Sequence, residues 1–437
     1  MKKIALSILP ILLLASCNSP AGTNVVNSTI FPEPAKLQGY KLNAPNKPFN
    51  SKPAQAINAD YLNSLREFAI DFIQETYKEE MYENPVFSPM SISTCYSMAV
   101  DAATGKTKEE LDDLIHFNDA SFNRLEEVKN ALLKTAINDP ENDTYLNLSQ
   151  SVWIDRPDAN AVQNDYLKIL EDYYFAEAYG GVLSQMADEF AAWINSKTNN
   201  YLNVKGQDFE EMLATAILVL VNTLYLKASW VTAFEEAANT EWYFSNYDST
   251  TSKTTFMVGG VEEGYYYKAD NYKITSIPFR DGLEFRVLLP NSNVSSDSVL
   301  NDRTALSNLL TLSLNEESRD ANGYVIKNSL TYMLPQFKVR TKYNLVDMFR
   351  AMGAPTPFNS GTAEFPQIDP AAFIASSIHE AGFEINNKGG EGAAYTIIAF
   401  GKGGGPSGTE FTFDHPFAYA VTTEDGIPLF MGKVTKF

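Results

Sequence analysis

The sequence predicts an α+β fold, and three observations carry that prediction. Apolar residues recur at helical spacing from Asp60 to Ile194, a nearly continuous run of Ile, Val and Leu covers 214–226, and most segments after Trp230 have strand length and composition. Helices early and strands late, without an internal repeat, describe one α+β body rather than a series of βα units. The composition agrees: of 437 residues 44% are hydrophobic and 20% charged, enough to bury a large core and too little charge for a disordered chain.

The first segment reads as a leader. Lys2 and Lys3 precede an apolar run over 4–15, shorter than the ~20 residues a membrane-crossing helix needs. Leu14-Ala15-Ser16-Cys17 resembles the bacterial lipoprotein processing box. That resemblance implies a signal peptide over 1–16, a lipid on the Cys17 thiol, and a bacterial protein anchored to a membrane and facing the periplasm or the cell exterior. Residues 17–55 hold prolines from Pro20 to Pro53 and show no periodicity, so a flexible tether is expected there, with the folded domain over 56–437.

Within that domain Asp60 caps a first helix carrying Leu62, Leu65, Ala69, Phe72 and Ile73. Ser88 before Pro89 puts a capping hydroxyl ahead of a first-turn proline; the helix to Ala103 is apolar nearly all round, and Gly105 is expected to end it. Thr107 and Glu110 read as a capping box for a short helix through Ile115, with a third helix near 125–137. Leu146, Leu148, Val152 and Ile154 predict a strand, and 166–175 and 186–194 return to helical spacing. The run 214–226 fits a strand covered on both faces, central in a large sheet. Later strands are expected at 273–278, 284–289, 330–339, 411–413, 417–422 and 429–434.

Charge and motifs exclude several functions. A formal net charge of -20 repels phosphate backbones, so nucleic acid is excluded as a partner. Two cysteines and the scattered His116, His379 and His415 offer neither a disulfide framework nor a metal site, and no cofactor is implied. G-x-S-x-G, H-E-x-x-H, C-x-x-C and the P-loop pattern are all missing, so the chain is not expected to be an enzyme. Gly403-x-Gly405-x-x-Gly408 matches a dinucleotide pattern, but Pro406 lies inside it and a strand rather than a helix follows. Carboxylate neighbours such as Asp112-Asp113 and Glu262-Glu263 do not face one substrate and read as surface charge. Cys95, in an apolar stretch with no histidine near it in sequence, reads as a buried inert thiol.

The unusual segment is 389–408, with eight glycines, two charges and the apolar centre Tyr395 to Phe400. At period two, one face is Gly390, Gly392, Ala394, Thr396, Ile398 and Phe400, uncharged and fit for burial; the other carries Glu391, Ala393, Tyr395, Ile397 and Ala399. Pattern alone leaves open an ordinary buried strand followed by a Gly-rich turn.

Several long motifs in order give this segment a meaning. Asn84-Pro85-Val86-Phe87-Ser88-Pro89, Gly105-Lys106-Thr107, Val221-Asn222 through Trp230, His379-Glu380-Ala381, Asp414-His415-Pro416-Phe417 and Leu429 to Val434 resemble the serpins from about Asp60 to Phe437. The resemblance implies helices packed on three β-sheets, with a large central sheet and an exposed reactive loop. It implies a protease inhibitor for serine, and perhaps cysteine, proteases: a suicide substrate whose cleaved loop enters the central sheet with the protease still attached. A monomer is expected. Ser88, Ser91, Asn222, Trp230 and His379 would lie where the sheet opens, and Gly389, Gly390, Glu391, Gly392, Ala393 and Ala394 would form the hinge.

Two departures from the family pattern stand out. Gly390 and Gly392 replace the usual Thr and Ala, which keeps the hinge small but costs about 0.5–1 kcal/mol per glycine in a strand. Asn387 and Gln336 stand where a Glu and a Lys are usual, so amide hydrogen bonds are expected to hold the opening instead of an ion pair. The scissile region is expected within Phe400, Gly401, Lys402, Gly403, Gly404 and Gly405, with Lys402 the favoured residue. The alternative is a non-inhibitory serpin acting as a binding or carrier protein, whose loop is cut without trapping.

Overall fold

Two hydrogen-bonded strand networks with helices packed around them make up the fold, seen in a computed structural model that describes residues 6–9, 40–43, 45–51, 55–79, 84–117, 121–155, 162–389 and 408–437. The chain begins with β1 (Leu6–Leu9), β2 (Tyr40–Asn43), α1 (Ala59–Glu79), β3 (Val86–Phe87), α2 (Pro89–Ala102), α3 (Gly105–Leu114), α4 (Arg124–Lys134), β4 (Ile137–Asp139) and β5 (Thr144–Asp155). Then come α5 (Asn164–Tyr174), β6 (Glu177–Gly181), α6 (Ala187–Lys197), α7 (Glu210–Thr215), β7 (Leu218–Lys227), β8 (Thr240–Ser245), β9 (Thr251–Ala269), β10 (Tyr272–Pro278) and β11 (Leu283–Pro290). The remainder is α8 (Ser296–Leu300), α9 (Arg303–Thr311), β12 (Gly323–Pro335), β13 (Phe337–Asn344), α10 (Leu345–Ala351), β14 (Ile378–Ile385), β15 (Thr409–Thr412), β16 (Phe417–Thr423) and β17 (Pro428–Val434).

The first network is the large mixed sheet, ordered β13-β14-β1-β7-β5-β6-β2, with β4 on β5. The second is ordered β15-β12-β9-β10-β11-β16-β17-β3, with β8 on β9. A register shift between Asn328 and Leu330 divides the second network. Its outer part joins β8, β15 and the adjoining halves of β9 and β12, and its inner part carries the barrel-like core around β10, β11, β16 and β17. This division accounts for three sheets.

α2 lies under the large sheet, and its sequence explains its place. Ser88 caps it, its Oγ accepting from the Ser91 amide at 3.1 Å, and Pro89 fills the first turn. Nearly every α2 side chain is buried, so the helix is a core element that supports β7 rather than a surface helix.

Several expected boundaries move. Gly105 opens α3 rather than ending α2: at φ +53 it follows the extended cap Thr104, and a Cβ there would meet the Glu364 carboxylate. Thr107 and Glu110 form no capping box. Thr107 Oγ1 accepts from the Glu364 amide, and Glu110 accepts from the Thr356 amide and hydroxyl, so both tie α3 to the distant 356–364 segment. The strand expected over 214–226 starts at Leu218, because Glu210–Thr215 is a helix that buries Leu213 in a second core cluster in front of the sheet. The strand expected over 330–339 is two strands in different sheets, parted at Gln336 next to Pro335.

The tether over 17–55 is also not plain linker throughout. Tyr40–Asn43 adds an edge strand to β6, Phe49 packs its ring 5.5 Å from that of Tyr145, and the Asn50 amide donates to Ala136 O at 2.8 Å. The unpaired edge of β6 offers backbone partners that the proline content of the segment does not reveal. Leu6–Leu9, within the 1–16 leader, lies as a strand in the large sheet.

Candidate functional site

β7 and β14 run in the same direction with room between them for exactly one antiparallel strand; β1 takes the upper part of that room. Ser7 pairs with Gly382 on one side and Tyr225 on the other, and Ile8 with Ala381 and Leu224. Two strand spacings put β7 and β14 about 9.5 Å apart here. Below β1, among the described strands, Leu218–Thr223 ladder only with β5 and Ile378–His379 only with β13. Between Leu218–Leu220 and Ser376–Ile378 the gap widens into a cavity of 580 Å³. Cys95 also lines it; its thiol, pushed up to about 12 by burial, donates to Leu220 O and is held protonated.

The slot has two faces. Toward α2, its floor carries Leu224, Leu226, Ala381, Phe383 and Ile385 from the main core, with Asn222 and His379 level with one another. The opposite face is polar: Glu380 accepts from Arg340 at 2.6 Å, Glu384 pairs with Lys338 at 2.5 Å, and Tyr201 lies over Gly382.

The residues expected at the sheet opening meet in the floor. Ser91 Oγ donates to Asn222 Oδ1 at 2.6 Å, and the Ser88 amide donates to His379 Nε2 at 3.1 Å. All four are fully buried, and burial lowers the His379 pKa to about 3, so the ring is neutral. Because Nε2 accepts, the ring proton sits on Nδ1. Trp230 lies higher up, stacked on Phe279 with ring centroids 4.1 Å apart and donating through Nε1 to Asn386 O at 2.9 Å.

At the top of β14 the chain turns sharply. Gly389 bridges antiparallel to both Asn386 and Ser229, and the Trp230 amide donates to Lys388 O at 3.2 Å. Gly389 has φ +83, and a Cβ would stand 2.6 Å from Ala228 O and 2.7 Å from Trp230 N, so the turn requires glycine. The chain therefore leaves residue 389 aimed down the slot.

A neutral amide cluster pins this turn. Gln336 Nε2 donates to Asn387 Oδ1 at 2.5 Å, and Asn239 pairs reciprocally with Asn387, at 3.0 and 2.7 Å. Asn387 Nδ2 also donates to Phe234 O at 3.1 Å. Asn239 was not expected at the site: it sits in a short turn ahead of β8 and has no sequence motif of its own. Of the other expected positions, Cys17, the hinge residues from Gly390 to Ala394 and the scissile region from Phe400 to Gly405 lie outside the described residues.

Comparison with known proteins places this geometry. A family model described as Serpin (serine protease inhibitor) matches residues 63–437. Serpin-Z4 of Arabidopsis thaliana is 26% identical over 375 residues, covering 80% of this chain and 91% of the relative. An uncharacterized serpin-like protein of Methanosarcina acetivorans is 26% identical, covering 86% of this chain and 89% of its own length. Among solved structures, native tengpin, a thermophilic serpin, superposes with a TM-score of 0.74 at 18% identity, covering 92% of this chain and 100% of its own.

Proposed function

The chain belongs to the serpin family, whose members are in general protease inhibitors, and from that premise we propose that it traps proteases covalently by loop cleavage and insertion. The protease supplies the chemistry. Its serine Oγ, or a cysteine Sγ, attacks a carbonyl in the scissile region, with Lys402 the favoured residue. An ester or thioester forms as the peptide bond breaks, and the new amine, taking the proton held by the protease's base, leaves on the C-terminal fragment. The inhibitor contributes no catalytic group. It contributes a strand that enters the slot faster than water cleaves the acyl bond.

The observation that carries this reading is Gly389, held between Ser229 and Asn386 and aimed between β7 and β14. Continued at about 3.3 Å per residue, 390–402 would span about 43 Å, enough to carry a protease the length of the sheet. The small, uncharged residues at 390, 392 and 394 fall on the floor side, where bulk or charge would stop entry. One observation favours the second reading, a binding or carrier protein whose loop is cut without trapping: Leu6–Leu9 already holds the upper slot, so a chain that keeps this segment has no place for the hinge. We further propose that Cys17 is lipidated, that 1–16 is removed, and that the inhibitor acts at a bacterial membrane outside the cytoplasm.

The test is incubation with trypsin-, chymotrypsin-, elastase- and papain-like proteases, followed by a denaturing gel and mass analysis. A stable adduct of protease and most of the chain, with release of a peptide beginning at Gly403, is expected. Gly390→Arg should turn the inhibitor into a cleaved substrate. Loop cleavage without adduct, at full residual protease activity, would hand the function to the carrier reading.

A further inference from the structure

The register imposed by Gly389 can be followed down the slot to a level where the floor carries two buried donors and no acceptor. Asn222 Nδ2 and His379 Nδ1 are both buried without a hydrogen-bond partner among the described residues. Each residue's other polar atom is engaged: Asn222 Oδ1 accepts from Ser91, and His379 Nε2 accepts from the Ser88 amide. Both free atoms are therefore donors, since the amide nitrogen only donates and the neutral ring carries its proton on Nδ1. Native interiors rarely leave such groups unmet.

The level of these donors is fixed by counting. Gly389 stands opposite Asn386 and Ser229. Seven residues further along an antiparallel strand, position 396 stands opposite 379 and 222, and the even positions face the floor. The same count puts 393 opposite Gly382 and Tyr225, the two partners that Ser7 has in β1, so a strand demonstrably sits in this register. On the floor side the levels read Gly392 against Leu226 and Phe383, Ala394 against Leu224 and Ala381, then residue 396 against the donor pair, and Ile398 below. Residue 396 is threonine, the one polar side chain on that face of the loop.

We propose that Thr396 is the positioning residue of loop insertion: its hydroxyl accepts from both Asn222 Nδ2 and His379 Nδ1 and locks the inserted strand in one register. This rests on the insertion reading above and deepens it. A slip of two residues would set Ala394 or Ile398 against the donors and Thr396 against apolar floor, so the polar pair specifies alignment where the small hinge residues do not. Thr396 itself lies outside the described residues; the donors that await it do not.

The experiment compares wild type, Thr396→Val and Thr396→Ser, each expressed from the whole 437-residue sequence. Valine keeps the shape and removes the acceptor; serine keeps the acceptor. Loop cleavage rates should match in all three. The ratio of cleaved, untrapped chain to adduct should rise about tenfold in Thr396→Val, as expected when buried donors stay unmet, and return to near wild type in Thr396→Ser. A second readout is the His379 Nδ1 proton in 15N-histidine-labelled protein, which has only three histidines to resolve. It should shift downfield on insertion in wild type and Thr396→Ser but not in Thr396→Val. Equal trapping by Thr396→Val with the same proton shift as wild type overturns this inference and leaves the trapping mechanism standing. A wild-type chain that is cut, forms no adduct and shows no His379 shift overturns both.

Discussion

His379 should make this protein lose stability in mild acid by an amount that one substitution removes. The ring is fully buried, its Nε2 accepts from the Ser88 amide, and its pKa falls from 6.5 to about 3 through desolvation. A group with a lowered folded pKa contributes stability that is complete above its unfolded value and is lost as pH falls toward its folded value. Between pH 6.5 and pH 4.5 the unfolded chain takes up the proton while the folded one does not, at 1.36 kcal/mol per unit, so this residue alone removes about 3 kcal/mol. That is a large share of the ~5–15 kcal/mol that holds a typical protein folded. The assay is denaturant unfolding at pH 7 and pH 4.5 for wild type and His379→Asn. Carboxylates common to both proteins cancel in the comparison, and the variant should lose about 3 kcal/mol less than wild type over this interval. If the two losses agree within about 1 kcal/mol, His379 is not held neutral by burial and the donor assignment of Nδ1 falls with it.

Three further outcomes follow from the slot and its turn. Asn387→Glu should destabilise by about 3 kcal/mol or more, because it buries an unpaired charge beside Gln336, and adding Gln336→Lys should recover most of that loss in thermal melting. Gly389→Ala should cost about 1–2 kcal/mol from the left-handed backbone alone, plus the clash with Ala228 O, and should lower the adduct yield even where the folded protein remains. A chain lacking 1–16 should form more adduct per cleavage than one retaining Leu6–Leu9, and Ser7→Pro in the longer chain should narrow the difference by removing a backbone donor from the β1 ladder; equal yields would show that β1 does not compete with the hinge.

How much of this was legible in the sequence depends on whether a feature is local. Ser88 and Pro89 announce α2 because a cap and a first-turn proline act within one helical turn, and the structure has both. The central place of β7 is readable from its apolar run, although the helix before it took the first residues. Features that depend on distant partners were misread. Thr107 and Glu110 carry the spacing of a capping box, yet each is engaged by the remote 356–364 segment. Gln336 looks like the middle of one strand and is the point where the chain changes sheets. The pairing of Asn387 with Gln336 was foreseeable only from the family pattern, and Asn239, which meets the same amide, has no local signal at all. The edge strand Tyr40–Asn43 hides in a proline-rich stretch, because the reason for it is the open edge of β6.

The slot also explains where the driving force for insertion would come from. Two buried donors without acceptors cost about 1–3 kcal/mol each, and two facing strand edges leave further backbone groups without ladder partners. One entering strand answers all of these at once: its backbone completes both ladders, its small residues cover the apolar floor, and a hydroxyl at the level of Asn222 and His379 satisfies the donors. None of this requires charge, which is consistent with a turn pinned by the neutral Asn387, Gln336 and Asn239 amides rather than by an ion pair. An amide latch neither titrates near neutral pH nor weakens with salt. The pH dependence of opening should then come from His379: once protonated, its ring presents N–H to the Ser88 amide in place of an acceptor, and the contact that closes the floor against α2 is lost.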